Sequence, residues 1–166
     1  MNNIKKFLVA IILVTVGYTT QAQVAHINSE ELVAAMPETK AMGEELKKTG
    51  QSFDTEYKAQ ASALQAKLQK YQTEAATKTN EENEKRQQEV GEIQQKLQLY
   101  LSSAREELQK KEFNLLKPII DKAQNAIKAV AKEKGIKYVL DSAPGKGLIV
   151  FEGEDLLPAV KAKLGL

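Results

Sequence analysis

Apolar residues recur in this chain at helical spacing but in a narrow line, and that line governs what the chain can fold into. Phe53, Tyr57, Ala61, Leu64, Leu68, Tyr71 and Ala75 follow one another at three or four residues, while Gln, Lys, Glu and Thr fill the other positions. A stripe this thin is the mark of a helix that shares a seam with one partner, not of a helix sunk in a broad core. The pattern fails at "EAATKTNEENEK", where Thr77, Thr79 and Asn80 are poor interior residues. Thr79 and Glu82 there have capping-box spacing, and Glu81, Glu82 and Glu84 suit the positive end of a new helix. A second stripe follows at Val90, Ile93, Leu97, Leu101, Ala104 and Leu108. Two stripes joined by a tight reversal near 76–80 predict an antiparallel pair of helices. Arms of about 40 residues would each reach roughly 60 Å at 1.5 Å per residue. Gly50 is the weak point of the first arm, and a local bend is expected there.

The flanking segments read differently. "QVAHIN" (23–28) is short and β-compatible, and Ser29 is the expected cap of the helix that follows. Pro37 suits the first turn of a new helix. The returning arm widens at "FNLLKPIIDKAQNAIKAVAKEKG", with Pro118 expected to kink it and Gly135 to stop it. "GIKYVLDSAPGKGLIVFE" then reads as a strand hairpin, Tyr138–Leu140 and Gly147–Phe151 about a Pro/Gly turn. Asp155 is the expected cap of a last helix carrying Leu156, Leu157, Val160 and Leu164. An out-and-back helical pair returns the chain to its start, so these strands should meet "QVAHIN". Three short strands leave open edges, which pairing between copies would close.

The chain opens with Lys5, Lys6, an apolar run Phe7–Val16 and small residues up to Ala22. That is the layout of a secretory signal peptide over 1–22, with Gln23 the first mature residue. The run is too short to span a bilayer. Removing Lys5 and Lys6 from 24 basic residues leaves 22, equal to the 22 acidic ones. A balanced mature chain lacks the cationic excess that nucleic acid requires. With no cysteine and a single histidine, disulfides, thiol catalysis and the common zinc sites are excluded.

No constellation for catalysis stands out, and no cofactor is expected. "SAPGKG" lacks the spacing of a phosphate loop and reads as a turn. His26 has no second ligand beside it in sequence and reads as a strand residue near a subunit interface. Glu81, Glu82 and Glu84, or Glu106 and Glu107, lie on exposed helix faces with no pocket to shift their pKa. Tyr57, Tyr71 and Tyr100 read either as seam residues or as contacts to another chain.

The post-signal "VAHINSEELVAAMP", the polar helical pair, "KPIIDKAQNAIKAVAKEKGIKYVLD" and the ending "DLLPAVKAKLGL" together resemble the Skp/OmpH-like family of periplasmic chaperones. The resemblance spans essentially the whole mature chain and is most specific over Lys117–Asp141. It implies a mainly α fold with a small β body: a homotrimer with a β-barrel-like body of N- and C-terminal strands and three helical tentacles. In those terms 23–36 and 113–166 are the body, and 37–112 is the coiled-coil-like hairpin. It also implies a non-enzymatic, ATP-independent holdase that encloses unfolded outer-membrane proteins in the periplasm. Expected client contacts are Tyr57, Leu64, Tyr71, Leu97 and Tyr100. Expected trimer contacts are Val24, His26, Tyr138, Val139, Leu140, Leu148, Ile149 and Phe151.

Charge departs from the strongly basic pattern of well-known members. Phe53–Glu112 holds ten basic and eleven acidic residues, so a lipopolysaccharide site is not carried over. At most a weak or transient association with a membrane surface is expected. The neutral arms and the lack of a pocket also fit a second class, a periplasmic coiled-coil spacer or tether with one fixed envelope partner.

Overall fold

The computed structural model describes residues 23–166. The signal-peptide expectation therefore lies outside the described residues. The element order is β1 (Val24–Ile27), α1 (Ser29–Ala35), α2 (Pro37–Glu74), a 3-10 turn (Ala75–Thr77), α3 (Asn80–Glu133), β2 (Tyr138–Asp141), β3 (Glu154–Asp155) and α4 (Leu157–Leu164). The chain is thus mainly helical with one small sheet. It divides into two compact units, 23–33 with Lys122–Leu166, and Ala34–Asp121.

In the second unit, α2 and α3 are long because little in them opposes helix. Pro37 opens α2 in its first turn, where a missing N–H costs nothing. Gly50 does not interrupt α2, which is continuous from Pro37 to Glu74. The penalty of one glycine, about 1 kcal/mol, is spread against the hydrogen bonds on either side. α3 likewise continues through Pro118. The break between the helices is where the sequence turns polar. Thr79 and Glu82 form the capping box, with the Thr79 N–H donating to Glu82 Oε2 at 3.0 Å and the Glu82 N–H to Thr79 Oγ1 at 3.2 Å. Asn83 Nδ2 also donates to the Ala75 carbonyl at 3.0 Å, holding the turn to the first coil of α3.

Contacts between α2 and α3 run in opposite chain directions. Glu45 pairs with Lys111 at 2.9 Å, and the Phe53 and Tyr100 rings meet edge-on at 6.2 Å. Nearer the turn, Lys67 and Tyr71 both donate to Glu89, and Arg86 pairs with Glu74 at 2.6 Å. Leu97 and Ala104 are the buried apolar residues of the second stripe.

In the other unit a three-stranded sheet has the order β2-β1-β3, all parallel. The first strand is therefore central, and the C-terminal strands do meet it. The expected hairpin is corrected: β2 and β3 flank β1 and never pair with each other. A parallel neighbour needs a crossover of a dozen or so residues, and 142–153 supplies one. Positive φ at Gly145 (80°) and Gly147 (86°) bends the chain away from β2. Gly147–Phe151, expected as a strand, has no ladder partner among the described residues; of the segment after the turn, Glu154–Asp155 pairs.

Alternation along β1 puts Ala25 and Ile27 into the core, where Leu32, Val130, Leu156 and Val160 are also buried. α3 ends at Glu133, and the φ of 68° at Gly135 just beyond it allows the Ile136 N–H to reach the Ala131 carbonyl at 2.8 Å. The α1 cap is corrected from Ser29 to Asn28, whose Oδ1 accepts from the Glu31 N–H at 3.0 Å. Ser29 instead bonds Asp141. The α4 cap is likewise corrected from Asp155 to Leu156, which makes no side-chain cap bond; Asp155, one residue earlier, accepts from the Leu157 N–H at 2.9 Å.

Candidate functional site

Two surfaces collect the residues expected to make contacts. The first is the outer face of the small sheet. Parallel pairing sets Val24 beside Tyr138 and His26 beside Leu140, so these four side chains share the face opposite Ala25 and Ile27. Val24, Tyr138 and Leu140 are exposed, and His26 is half-buried. Phe151 closes on His26, ring centroids 4.5 Å apart, and His26 Nδ1 is buried without a hydrogen-bond partner among the described residues. Beside it Ile149 is 92% exposed and Val150 76%. Val139 belongs to the other face and is half-buried, as is Leu148. Scattered apolar side chains are normal on a surface, but a contiguous patch marks a place of contact.

The second surface is the α2–α3 unit. Tyr57, Leu64, Tyr71 and Tyr100 are half-buried along the seam, and Leu97 is only 7% exposed. Tyr100 donates to Glu56 Oε2 at 2.9 Å. Tyr71 lies beneath Arg86, whose guanidinium carbon is 4.5 Å from the ring centroid. The hydrogen bond to Glu89, with burial and the Glu89 charge behind it, raises the Tyr71 pKa. Conversely, donation from Lys67 and then from Tyr71 holds the Glu89 carboxyl below its ordinary value.

This Lys67, Tyr71, Glu74, Arg86 and Glu89 cluster was not legible from the apolar stripes. Charges of opposite sign flanking a seam are the usual partners of such helices. Their facing could be read only once the length of the turn was known. Among the described residues, no group of three or more His, Asp and Glu side chains is placed to hold a metal ion.

A polar two-helix unit and a unit whose small sheet exposes apolar side chains make up the described chain. The chain matches the family model described as "Outer membrane protein (OmpH-like)" over residues 23–164 and belongs to that family. "Chaperone protein Skp" of Yersinia enterocolitica is 22% identical over 121 residues, 73% of this chain and 74% of that relative. The crystal structure of an OmpH-like protein from Caulobacter crescentus matches with a TM-score of 0.76 at 18% identity. That match covers 89% of this chain and 86% of the other. At this identity the structural likeness establishes a common fold.

Proposed function

We propose that this protein is an ATP-independent holdase of the periplasm, reached by cleavage of the 1–22 signal. It forms a homotrimer whose β-barrel-like body is made from 23–36 and 113–166. Residues 37–112 form an antiparallel helical arm, and three arms enclose unfolded outer-membrane proteins in transit. The observation that carries this reading is the family match over residues 23–164, beside the likeness to a relative named as a chaperone. It is supported by the exposed apolar sheet face and the unpaired segment around Ile149, which give copies of the chain something to bury.

Val24, His26, Tyr138, Leu140, Leu148, Ile149 and Phe151 would lie at or near that interface, whereas Val139, expected there, is on the other face of the sheet. Client chains would touch the half-buried rims of Tyr57, Leu64, Tyr71 and Tyr100, with Leu97 at the seam beneath them. Many weak contacts inside an enclosed space hold a client without a deep pocket. Preferential binding of the unfolded state lowers the free concentration of aggregating chain.

The test is dilution of a urea-unfolded outer-membrane barrel into buffer with the 23–166 protein and no nucleotide. Substoichiometric trimer should suppress light scattering. No suppression at excess trimer overturns the reading. Capture of one fixed envelope partner with indifference to unfolded chains would replace it with the tether.

A further inference from the structure

We propose that a groove in the sheet-bearing unit, between the last turns of α3 and β2, is a docking site for an acidic peptide segment of a partner protein. The groove holds about 520 Å³ and is lined by Gln124, Ile127, Lys128, Ala131, Lys132, Ile136, Lys137 and Val139. Its size is that of a site for side chains or a small ligand.

Its floor and rim differ in chemistry. Ala131 is buried and Ile127, Ile136 and Val139 are half-buried, so the floor is apolar. Lys128, Lys132 and Lys137 are exposed on the rim. Several other lysines of this unit are engaged: Lys134 with Glu154 at 2.7 Å, Lys161 with Glu31 at 2.8 Å, and Lys163 with Glu133. The three rim lysines have no ion-pair partner among the described residues. Unneutralised cations around an apolar floor favour an occupant that brings both carboxylates and apolar side chains.

Spacing narrows the occupant further. Lys128 and Lys132 stand one helical turn apart, about 6 Å along the axis. Acidic residues two apart in an extended chain are separated by about 6.6 Å and point the same way. A segment alternating acidic and apolar residues therefore fits. A concave groove suits such a segment better than a bilayer, which is met by protruding apolar side chains with cations around them. The site shares no residue with the proposed client contacts and does not depend on the holdase reading.

The probe is a fluorescein-labelled peptide of about ten residues alternating Asp with Leu or Val, spanning about 33 Å when extended. Its counterpart has Asn for every Asp. Fluorescence anisotropy with the 23–166 protein should show binding of the Asp peptide and not of the Asn peptide. Binding should weaken as salt is raised. Lys128→Glu/Lys137→Glu should weaken it at least about tenfold, with an unchanged circular dichroism spectrum. Lys132 is left in place because its charge supports the end of α3. If the reversal unfolds the protein, Lys128→Gln/Lys137→Gln makes the same comparison. Equal affinity of the folded variant, or of the Asn peptide, overturns the proposal. So does binding to phosphatidylglycerol vesicles that the peptide cannot displace. A change of oligomeric state in the folded variant on sedimentation also overturns it, because the groove would then be covered by a second copy.

Discussion

Ser29 gives both of its donors to Asp141, its backbone N–H at 3.2 Å and its hydroxyl at 2.6 Å, across 112 residues of sequence. The Ala143 N–H donates to the same carboxylate at 3.0 Å. One side chain thereby fixes the start of α1, the end of β2 and the turn that follows.

Burial pushes the Asp141 pKa up, but the bonds from Ser29 and Ala143 outweigh it and the carboxyl titrates below the ordinary aspartate range. A depressed folded pKa contributes stability above the unfolded value of about 3.9, and that contribution is lost as pH falls through the folded value. Asp141→Ala should cost about 1–2 kcal/mol at neutral pH. Thermal melts of Asp141→Asn from pH 6 down to 3 should fall less steeply than those of the unaltered protein. Parallel curves would remove Asp141 from the acid response.

Leu97 and Leu99 are two residues apart on α3 but meet different surroundings, 7% and 58% exposed. Leu97→Ala should destabilise the helical unit by about 2–3 kcal/mol, and Leu99→Ala by less than about 0.5 kcal/mol. Urea titrations followed by circular dichroism measure both. Similar costs would mean that the seam lies elsewhere.

A Cβ added at Gly50 would meet nothing within 4 Å, and the residue is inside a continuous helix. Gly50→Ala should therefore raise stability by about 0.5–1 kcal/mol. The melting temperature reads this directly. A loss of stability would reveal a bend or contact at this position.

Tyr71 holds its proton because the phenol donates to Glu89. Glu89→Gln should bring the Tyr71 ionisation back toward about 10, seen as an earlier rise in absorbance at alkaline pH. In a Tyr71→Phe background the same substitution should leave the titration unchanged. An equal shift in both backgrounds would assign the effect to another tyrosine.

Ile149 has no burial to lose within the chain, so Ile149→Asp should leave the folded subunit within about 0.5 kcal/mol of the original. The proposed trimer should nonetheless dissociate on sedimentation, whereas Gln72→Asp near the α2–α3 turn should sediment normally. Equal behaviour of the two variants would place the interface away from this segment.

Local signals in the sequence carried most of the helical structure. The stripes gave α2 and α3, Thr79 and Glu82 gave the turn between them, and Gly135 gave a helix end. Each depends on residues within a turn or two of one another. The sheet was only half legible. That the C-terminal strands reach "QVAHIN" followed from chain direction, but β1's place between them did not. Strand order depends on long-range pairing, and two apolar runs around a Pro/Gly turn look the same whether they pair or part. Asn28 and Ser29 are both good caps, and the choice was made by Asp141, far along the chain. Of the candidate contacts, alternation in "QVAHIN" set Val24 and His26 apart from Ala25 and Ile27, but Tyr138, Val139 and Leu140 were expected together and the pairing puts Val139 on the opposite face. The rim lysines were not legible, since whether a lysine is neutralised depends on neighbours that sequence spacing does not give.

A central first strand has a consequence for how the molecule is made. Val24 cannot find Tyr138, nor His26 find Asp155, until both long helices between them have been made. Helical segments close through neighbours and form fast, whereas distant strand pairing is slow. The intervening helices should therefore be in place while β1 is still waiting. A nascent or truncated product lacking its last residues would carry ordered rods beside an unsatisfied leading strand, a natural target for proteolysis.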